Sequence, residues 1–83
     1  MTYHVIFGGG AAIQYHDLPE AAQDALVARA VELADAPWDA TVLPPGDDPA
    51  FREAMFGDGL GLLDFHLDEA TETLRIFNLV WIG

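Results

Sequence analysis

The stretch FREAMFGDGLGLLDFHLDEATETLRIFNLVWI, residues 51–82, decides the fold of this chain. Two of its segments, Phe51 to Phe56 and Leu60 to Leu67, are rich in aromatic and aliphatic side chains. Between them lies Gly57-Asp58-Gly59, and an Asp-Gly pair tolerates the positive φ that tight hairpin turns require. A short polar turn then leads into a third apolar segment, Thr73 to Ile82. The stretch therefore predicts three consecutive strands of an antiparallel sheet.

The last of these strands is apolar on both faces. Strict alternation places Leu74, Ile76, Val80 and Ile82 on one face, and Phe77, Leu79 and Trp81 on the other. A strand of this kind lies inside a sheet or forms part of an interface. We therefore take Phe77, Leu79 and Trp81 as the candidate partner-binding residues.

The segment from Thr2 to Phe7 predicts a further strand, because its β-branched and aromatic side chains alternate. One face carries Tyr3, Val5 and Phe7, and the other carries His4 and Ile6. Three glycines at positions 8–10 end the strand, and we expect them to form a flexible turn. The next residues, Ala11 to Tyr15, form either a short helix or the lead into the following one.

A helix is predicted from Glu20 to Asp35. Its apolar side chains recur every 3.6 residues in a narrow, alanine-rich stripe, which suits close packing on a sheet. The stripe consists of Ala22, Leu26, Ala30 and Leu33, with Val27 and Ala34 at its shoulder. Asp17 is expected to cap the free N–H groups at the helix start, Pro19 suits the first turn, and Pro37 ends the helix.

The connection from Ala36 to Pro49 holds four of the five prolines. We expect it to be ordered, because Trp38, Val42 and Leu43 can anchor it. A loop of this length is unusual in a small domain and is often functional.

Together these elements predict a single α+β domain over residues 1–83. It would contain a small, mainly antiparallel sheet with the order β-α-β-β-β, and a short extra helix after the first strand is an open alternative. The long helix would pack on one face of this sheet.

The charge of the chain limits its partners. It contains 14 Asp and Glu, three Arg and no Lys, which gives a formal net charge of -11. Nucleic acids and anionic membranes would repel such a chain, whereas a neutral or basic protein partner is compatible with it. It has no cysteine and no apolar run near the roughly 20 residues that span a bilayer. We expect a cytoplasmic protein without a cofactor or a metal.

Several motifs follow one another in a characteristic order. Leu18-Pro19 opens the helix, Phe51-Arg52 opens the next strand, and the hairpin from Gly59 to Glu69 ends in an aliphatic-Asp-Glu turn. Leu33 and Pro37 close the helix, and Ile76 to Trp81 forms the last strand. Over nearly the whole chain, this order resembles the RelE/ParE toxin superfamily of bacterial toxin–antitoxin pairs.

The resemblance implies two activities. RelE-like members hold messenger RNA with basic residues on the sheet and cleave it on the ribosome, whereas ParE-like members inhibit DNA gyrase through a protein contact. Arg52 matches one basic position and is the candidate catalytic residue, as a phosphate clamp. Gly61 stands where the family commonly has an arginine, and Trp81-Ile82-Gly83 ends the strand where the family continues into basic and His or Tyr residues. Phosphoryl chemistry needs positive groups where negative charge develops, so these positions disfavour RNA cleavage.

Asp64, His66 and Asp68 alternate along one strand and therefore point to one face. Two carboxylates and an imidazole could bind a divalent metal. Side chains from one strand project in parallel and converge poorly, so we expect a solvent-facing polar stripe and no metal site.

Three functions are compatible with these observations. We favour a RelE/ParE-like protein-binding module that engages an antitoxin-like partner of neutral or basic charge and does not cleave RNA. The first alternative is an active ribosome-dependent mRNA endonuclease that uses Arg52. The second is a structural or regulatory homodimer, formed through Phe77, Leu79 and Trp81.

Overall fold

The computed structural model describes residues 2–83. Along this part of the chain lie strand β1 (His4–Phe7), helix α1 (Gly9–Asp17), helix α2 (Glu20–Asp35), a 3₁₀ helix (Pro37–Asp39), and strands β2 (Thr41–Val42), β3 (Phe51–Phe56), β4 (Gly61–Asp68) and β5 (Thr73–Trp81). None of the helices in residues 2–83 has both the length and the apolar character needed to cross a membrane.

The five strands form one sheet in the order β1-β5-β4-β3-β2. β1 runs parallel to β5, and the other neighbouring strands are antiparallel. Both helices pack on the same face of the sheet, which we call the inner face, and the opposite face is the outer face. The predicted α+β class, with helices on one face of a mainly antiparallel sheet, is confirmed.

The hydrophobic core lies between the inner face and the helices. The strands contribute Ala54, Phe56, Leu63, Phe65, Leu67, Leu74, Ile76 and Leu79, and the helices contribute Ala11, Ala22, Leu26, Ala30, Leu33 and Ala34. The predicted stripe of α2 is therefore the buried one. Its alanines let the helix lie close to the sheet, while Leu26 and Leu33 join the central cluster.

Helix α2 has the bounds that the sequence predicts, but its start is different. Asp17 makes no capping hydrogen bond; it is the last residue of α1, and Pro19 occupies the N-cap position of α2. The predicted cap is wrong because α1 runs up to Asp17 and leaves only two residues between the helices. The glycines also differ from the prediction, since Gly9 and Gly10 begin α1 instead of forming a flexible turn.

The connection after α2 contains a strand that the sequence does not predict. β2 pairs with Arg52 and Glu53 of β3, and the Leu43 N–H extends the pairing by donating to the Phe51 carbonyl at 2.8 Å. Trp38 anchors the connection as expected, because its Nε1–H donates to the Tyr3 hydroxyl at 3.1 Å. Two residues are too few to show an alternating pattern, so the sequence alone does not reveal β2.

A β-bulge in β5 changes which of its side chains face the helices. Asp64 and Phe65 are consecutive in β4, but their partners in β5 are Asn78 and Ile76, so Phe77 is an extra residue. An extra residue reverses the alternation of the strand beyond it. The buried residues of β5 are consequently Leu74, Ile76 and Leu79, and the exposed ones include Phe77 and Val80.

Helix side chains close the edges of the long strands where the short edge strands stop. The Gln14 side chain of α1 accepts a hydrogen bond from the Leu79 N–H at 2.9 Å and donates one to the Leu79 carbonyl at 3.0 Å. Its amide thus pairs with β5 as the peptide group of another strand would. Beyond the end of β2, Arg29 Nε donates to the Met55 carbonyl at 3.0 Å. These contacts satisfy backbone groups that could otherwise pair with another chain.

Candidate functional site

Arg52, the predicted phosphate clamp, holds the connection between α2 and β3. Its Nε donates to the Pro49 carbonyl at 2.6 Å, and its Nη1 donates to the carbonyls of Trp38 and Ala40 at 3.0 and 2.8 Å. Its guanidinium carbon also lies 5.1 Å from the centroid of the Trp38 ring, within the range of a cation–π contact. The guanidinium is therefore engaged with the protein's own backbone. This placement gives the catalytic role of Arg52 no support, and that role stays a prediction.

Gly61, where the resemblance implies an arginine, faces the helices and is covered by an aromatic ring. It pairs with Phe56 on β3 and with Trp81 on β5. The rings of Phe56 and Trp81 stack with centroids 5.7 Å apart and planes inclined by 21°. A Cβ at position 61 would collide with the Phe56 ring. A long basic side chain could enter here only by displacing this aromatic pair.

The three candidate partner-binding residues of β5 do not share a face. Phe77 projects from the outer face, where its ring meets that of Phe51 edge-on at a centroid distance of 5.8 Å. Leu79 is buried on the inner face, and Trp81 is half-buried against Phe56. The expected common surface is wrong because the bulge at Phe77 reverses the alternation. Only Phe77 among the three is fully available to another molecule.

Asp64, His66 and Asp68 lie on the outer face, as the alternation predicts. Asp64 accepts a hydrogen bond from Asn78 Nδ2 at 3.1 Å, and Asp68 accepts one from the Thr71 N–H at 3.3 Å. The two carboxylates thus have separate partners. Within residues 2–83, no group of three or more His, Asp or Glu side chains is placed to hold a metal ion.

An apolar groove runs between α2 and the edge strand β1. Its volume is about 530 Å³, and Phe7 of β1 faces Val27 and Val31 of α2 across it. These side chains are 37%, 49% and 62% exposed although all three are large and apolar. Asp35 is the only charged residue among those that the structure places along the groove. The groove is therefore suited to apolar side chains of another molecule.

Strand β1 leaves one edge of the sheet open beside this groove. The N–H groups of His4 and Gly8 donate to carbonyls on the β5 side, each at 2.8 Å. Because successive peptide groups of a strand point in opposite directions, the N–H groups of Val5 and Phe7 point away from β5. β1 carries neither the lysine nor the proline that commonly protects an edge strand.

The chain has the fold of RelE toxins. The isolated E. coli RelE toxin is 15% identical and matches with a TM-score of 0.83 over 98% of this chain and 85% of that chain. The RelBE2 toxin–antitoxin complex from Mycobacterium tuberculosis is 23% identical, with a TM-score of 0.83 over 98% and 99%. The archaeal RelE–RelB complex from Pyrococcus horikoshii is 18% identical, with a TM-score of 0.72 over 100% and 98%. No protein-family model matches the chain, and no curated protein matches it in sequence.

These likenesses confirm the RelE-like fold that the sequence motifs predict. At such low identity they describe the architecture and not the chemistry, since one fold can host many functions. The resemblance singles out Arg52 and Gly61. In this protein Arg52 donates hydrogen bonds to carbonyls of a loop, and Gly61 leaves room for the ring of Phe56.

The groove residues of α2 are the functional candidates that sequence analysis missed. Val27 lies at the shoulder of the predicted stripe, and Val31 lies outside it. A signal was present in their spacing, because residues four apart lie on one side of a helix. That spacing alone does not reveal that β1 stands opposite and completes a groove.

Proposed function

We propose that this protein is a toxin-family module that binds an antitoxin-like protein partner and does not cleave RNA. The observation that carries the proposal is the exposed apolar groove between α2 and β1. The fold supports it, because RelE proteins of the same fold form complexes with RelB-type antitoxins in E. coli and M. tuberculosis. In one solved structure, E. coli RelE is bound to an antitoxin RelBc peptide.

The groove offers two kinds of contact to a partner segment. Apolar side chains can cover Phe7, Val27 and Val31, and fully burying a side chain of this kind contributes about 1.5–3 kcal/mol. If the segment is extended, its backbone can also pair with the outward N–H groups of Val5 and Phe7. Strand addition at an open sheet edge is a recurring mode of peptide recognition.

The charge of the molecule selects the partner. The net charge is -11, and the one charged side chain that lines the groove is acidic, Asp35. Complementary potentials speed association and suppress wrong partners. The partner segment is therefore apolar with neutral or basic flanks.

RNA cleavage is disfavoured by the disposition of the arginines. Arg52 is bound to three backbone carbonyls, and Arg29 forms an ion pair with Glu32 at 3.5 Å. Arg75 lies on the outer face, away from Gly61 and the aromatic pair that covers it. A lone guanidinium in so acidic a molecule lacks the cluster of positive groups that phosphate binding and phosphoryl transfer require.

A pair of matched substitutions tests the docking site. The probe is the protein encoded by the neighbouring reading frame, and its binding is measured by calorimetry. Val31→Asp places a charge in the groove and should weaken binding at least tenfold, which is about 1.4 kcal/mol. Ile13→Asp makes the matching change at an exposed apolar residue of α1, outside the groove, and should leave binding unchanged.

Two different outcomes would contradict the docking site and the proposed function. Equal affinity of the Val31→Asp variant and the wild type would remove the groove as the docking site. No binding of the neighbouring protein to the wild type would count against the proposed module itself.

A further inference from the structure

The outer face of the sheet exposes large apolar side chains on either side of the polar cross-strand row Glu53, Asp64 and Asn78. Ile6, Phe51, Met55, Phe77 and Val80 on this face are 40%, 36%, 64%, 37% and 44% exposed. Both helices pack on the inner face, so no helix of residues 2–83 covers them. Phe51 and Phe77 are in ring contact on one side of this polar row, and exposed apolar clusters rimmed by polar residues mark interaction sites.

This face carries only a minority of the acidic side chains. Of the 14 acidic side chains, the outer face carries Glu53, Asp64 and Asp68. The others lie on the helices, in turns and in the connection before β3. The outer face additionally holds Arg75 and two of the three histidines, His4 and His66.

Arg75 differs from Arg29 and Arg52, whose guanidinium groups donate hydrogen bonds to other residues of the same chain. In the part of the chain that the structure describes, the ion pair present is Arg29–Glu32, and no side-chain hydrogen bond from Arg75 occurs. Arg75 pairs in register with His66, and Asp68 pairs with Thr73, so Arg75 and Asp68 are diagonal neighbours. Both line a cavity of about 390 Å³ on the outer face, together with Ile6.

We propose that the outer face binds a second copy of this chain in a dimer with twofold symmetry. In such an interface the same patch is used on both subunits, so a contact between two different residues occurs twice. Arg75 of each copy would face Asp68 of the other, with Ile6, Phe51 and Phe77 packed between the two sheets. Neighbouring opposite charges within an apolar surface make this patch complementary to itself.

The net charge of each copy opposes association, but the repulsion is limited. The Debye length is about 8 Å at physiological ionic strength, so charges beyond that distance are largely screened. Five of the 14 carboxylates lie on α1 and α2, on the far side of the sheet from the dimer contact, and three lie on the contact face itself. The dimer leaves the groove between α2 and β1 free, so this inference goes beyond the proposed function and does not depend on it.

A charge exchange tests the dimer on the full chain. The mass is measured by analytical ultracentrifugation over a range of concentrations. In Asp68→Arg and in Arg75→Asp, the reciprocal contacts become like-charged, and each variant should raise the dimer dissociation constant at least tenfold. The double variant restores both contacts at the wild-type net charge and should recover the dimer. Ile13→Asp, on α1 and outside the groove, is the control that should not change the mass.

Phe77→Ser provides an independent readout, since it removes an apolar contact and adds no charge beside either ion pair, and it should also favour the monomer. A wild-type mass that stays monomeric up to about 1 mM would overturn the proposal. So would a wild-type dimer that neither single exchange weakens. Partner binding at the groove is measured in a separate experiment. A protein that does not dimerise would therefore leave the proposed function intact.

Discussion

Arg52 and Arg75 show how neighbours decide what an arginine does. Arg52 stands at the start of β3, close to three carbonyls of the connection that lack strand partners, and it donates to all of them. Its role is to order a proline-rich segment that β2 alone is too short to hold. Arg75 has the same guanidinium but faces outward from the middle of β5.

We expect Arg52→Met to be destabilising. The variant keeps most of the apolar stem but removes every donor, and carbonyls left without a partner cost about 1–3 kcal/mol in the free energy of unfolding. Arg75→Met, at low protein concentration, should stay within about 0.5 kcal/mol of the wild type, as surface substitutions commonly do. Urea denaturation measures both. Equal stability of the two variants would contradict the structural role of Arg52.

Single positions also mark the limit of what the sequence predicts. The absence of an arginine at position 61 is visible in the sequence, and it is one reason why we propose that the protein does not cleave RNA. The reason for the glycine is not visible, because Phe56 and Trp81 reach it from two different strands. These contacts are made between neighbouring strands, so the residues next to Gly61 in the sequence do not reveal them.

At the scale of elements, the helices do more than cover the sheet. Gln14 of α1 continues the pairing of β5 where β1 stops, and Arg29 of α2 does the same for β3 where β2 stops. The short edge strands are thereby extended by single side chains. By contrast, the outer edge of β1 stays open along the groove, which is why we place partner binding there.

Gln14→Ala should loosen this edge. It removes both hydrogen bonds to Leu79, so the Leu79 amide should exchange with solvent faster and the free energy of unfolding should fall by about 1–3 kcal/mol. Gln23→Ala is the control, since Gln23 donates to the Tyr15 carbonyl at 2.9 Å and does not touch β5. Hydrogen exchange followed by NMR measures the effect. Unchanged protection of Leu79 in the Gln14 variant would show that the amide does not seal the edge.

The sequence predicts the elements that have a strong local pattern. It does not predict features that depend on the hydrogen-bond register between two strands. The period of α2 and the Asp-Gly turn fixed the bounds of α2 and β3, and Gly57, Asp58 and Gly59 have the expected positive φ of 62°, 58° and 85°. The bulge at Phe77 depends on the register with β4, which no single strand encodes. The bulge places Leu79 in the core, so Phe77, Leu79 and Trp81 do not form the common surface that the sequence predicts.

At the scale of the whole molecule, the RelE fold is combined with a formal net charge of -11. One side presents an apolar groove surrounded by an acidic surface, and the other presents a sheet face that combines apolar side chains with three carboxylates and Arg75. Both surfaces suit proteins better than a polyanion. One architecture can host different functions, so the fold alone does not decide between protein binding and RNA cleavage.

The most direct test is to induce this chain, without its neighbouring reading frames, in a bacterial host and to measure growth together with messenger-RNA integrity. We expect normal growth and intact transcripts at high expression, because Arg52 is occupied by backbone carbonyls and Gly61 is covered by Phe56. Growth arrest accompanied by cleaved transcripts would contradict the claim that this protein does not cleave RNA and would identify an active toxin.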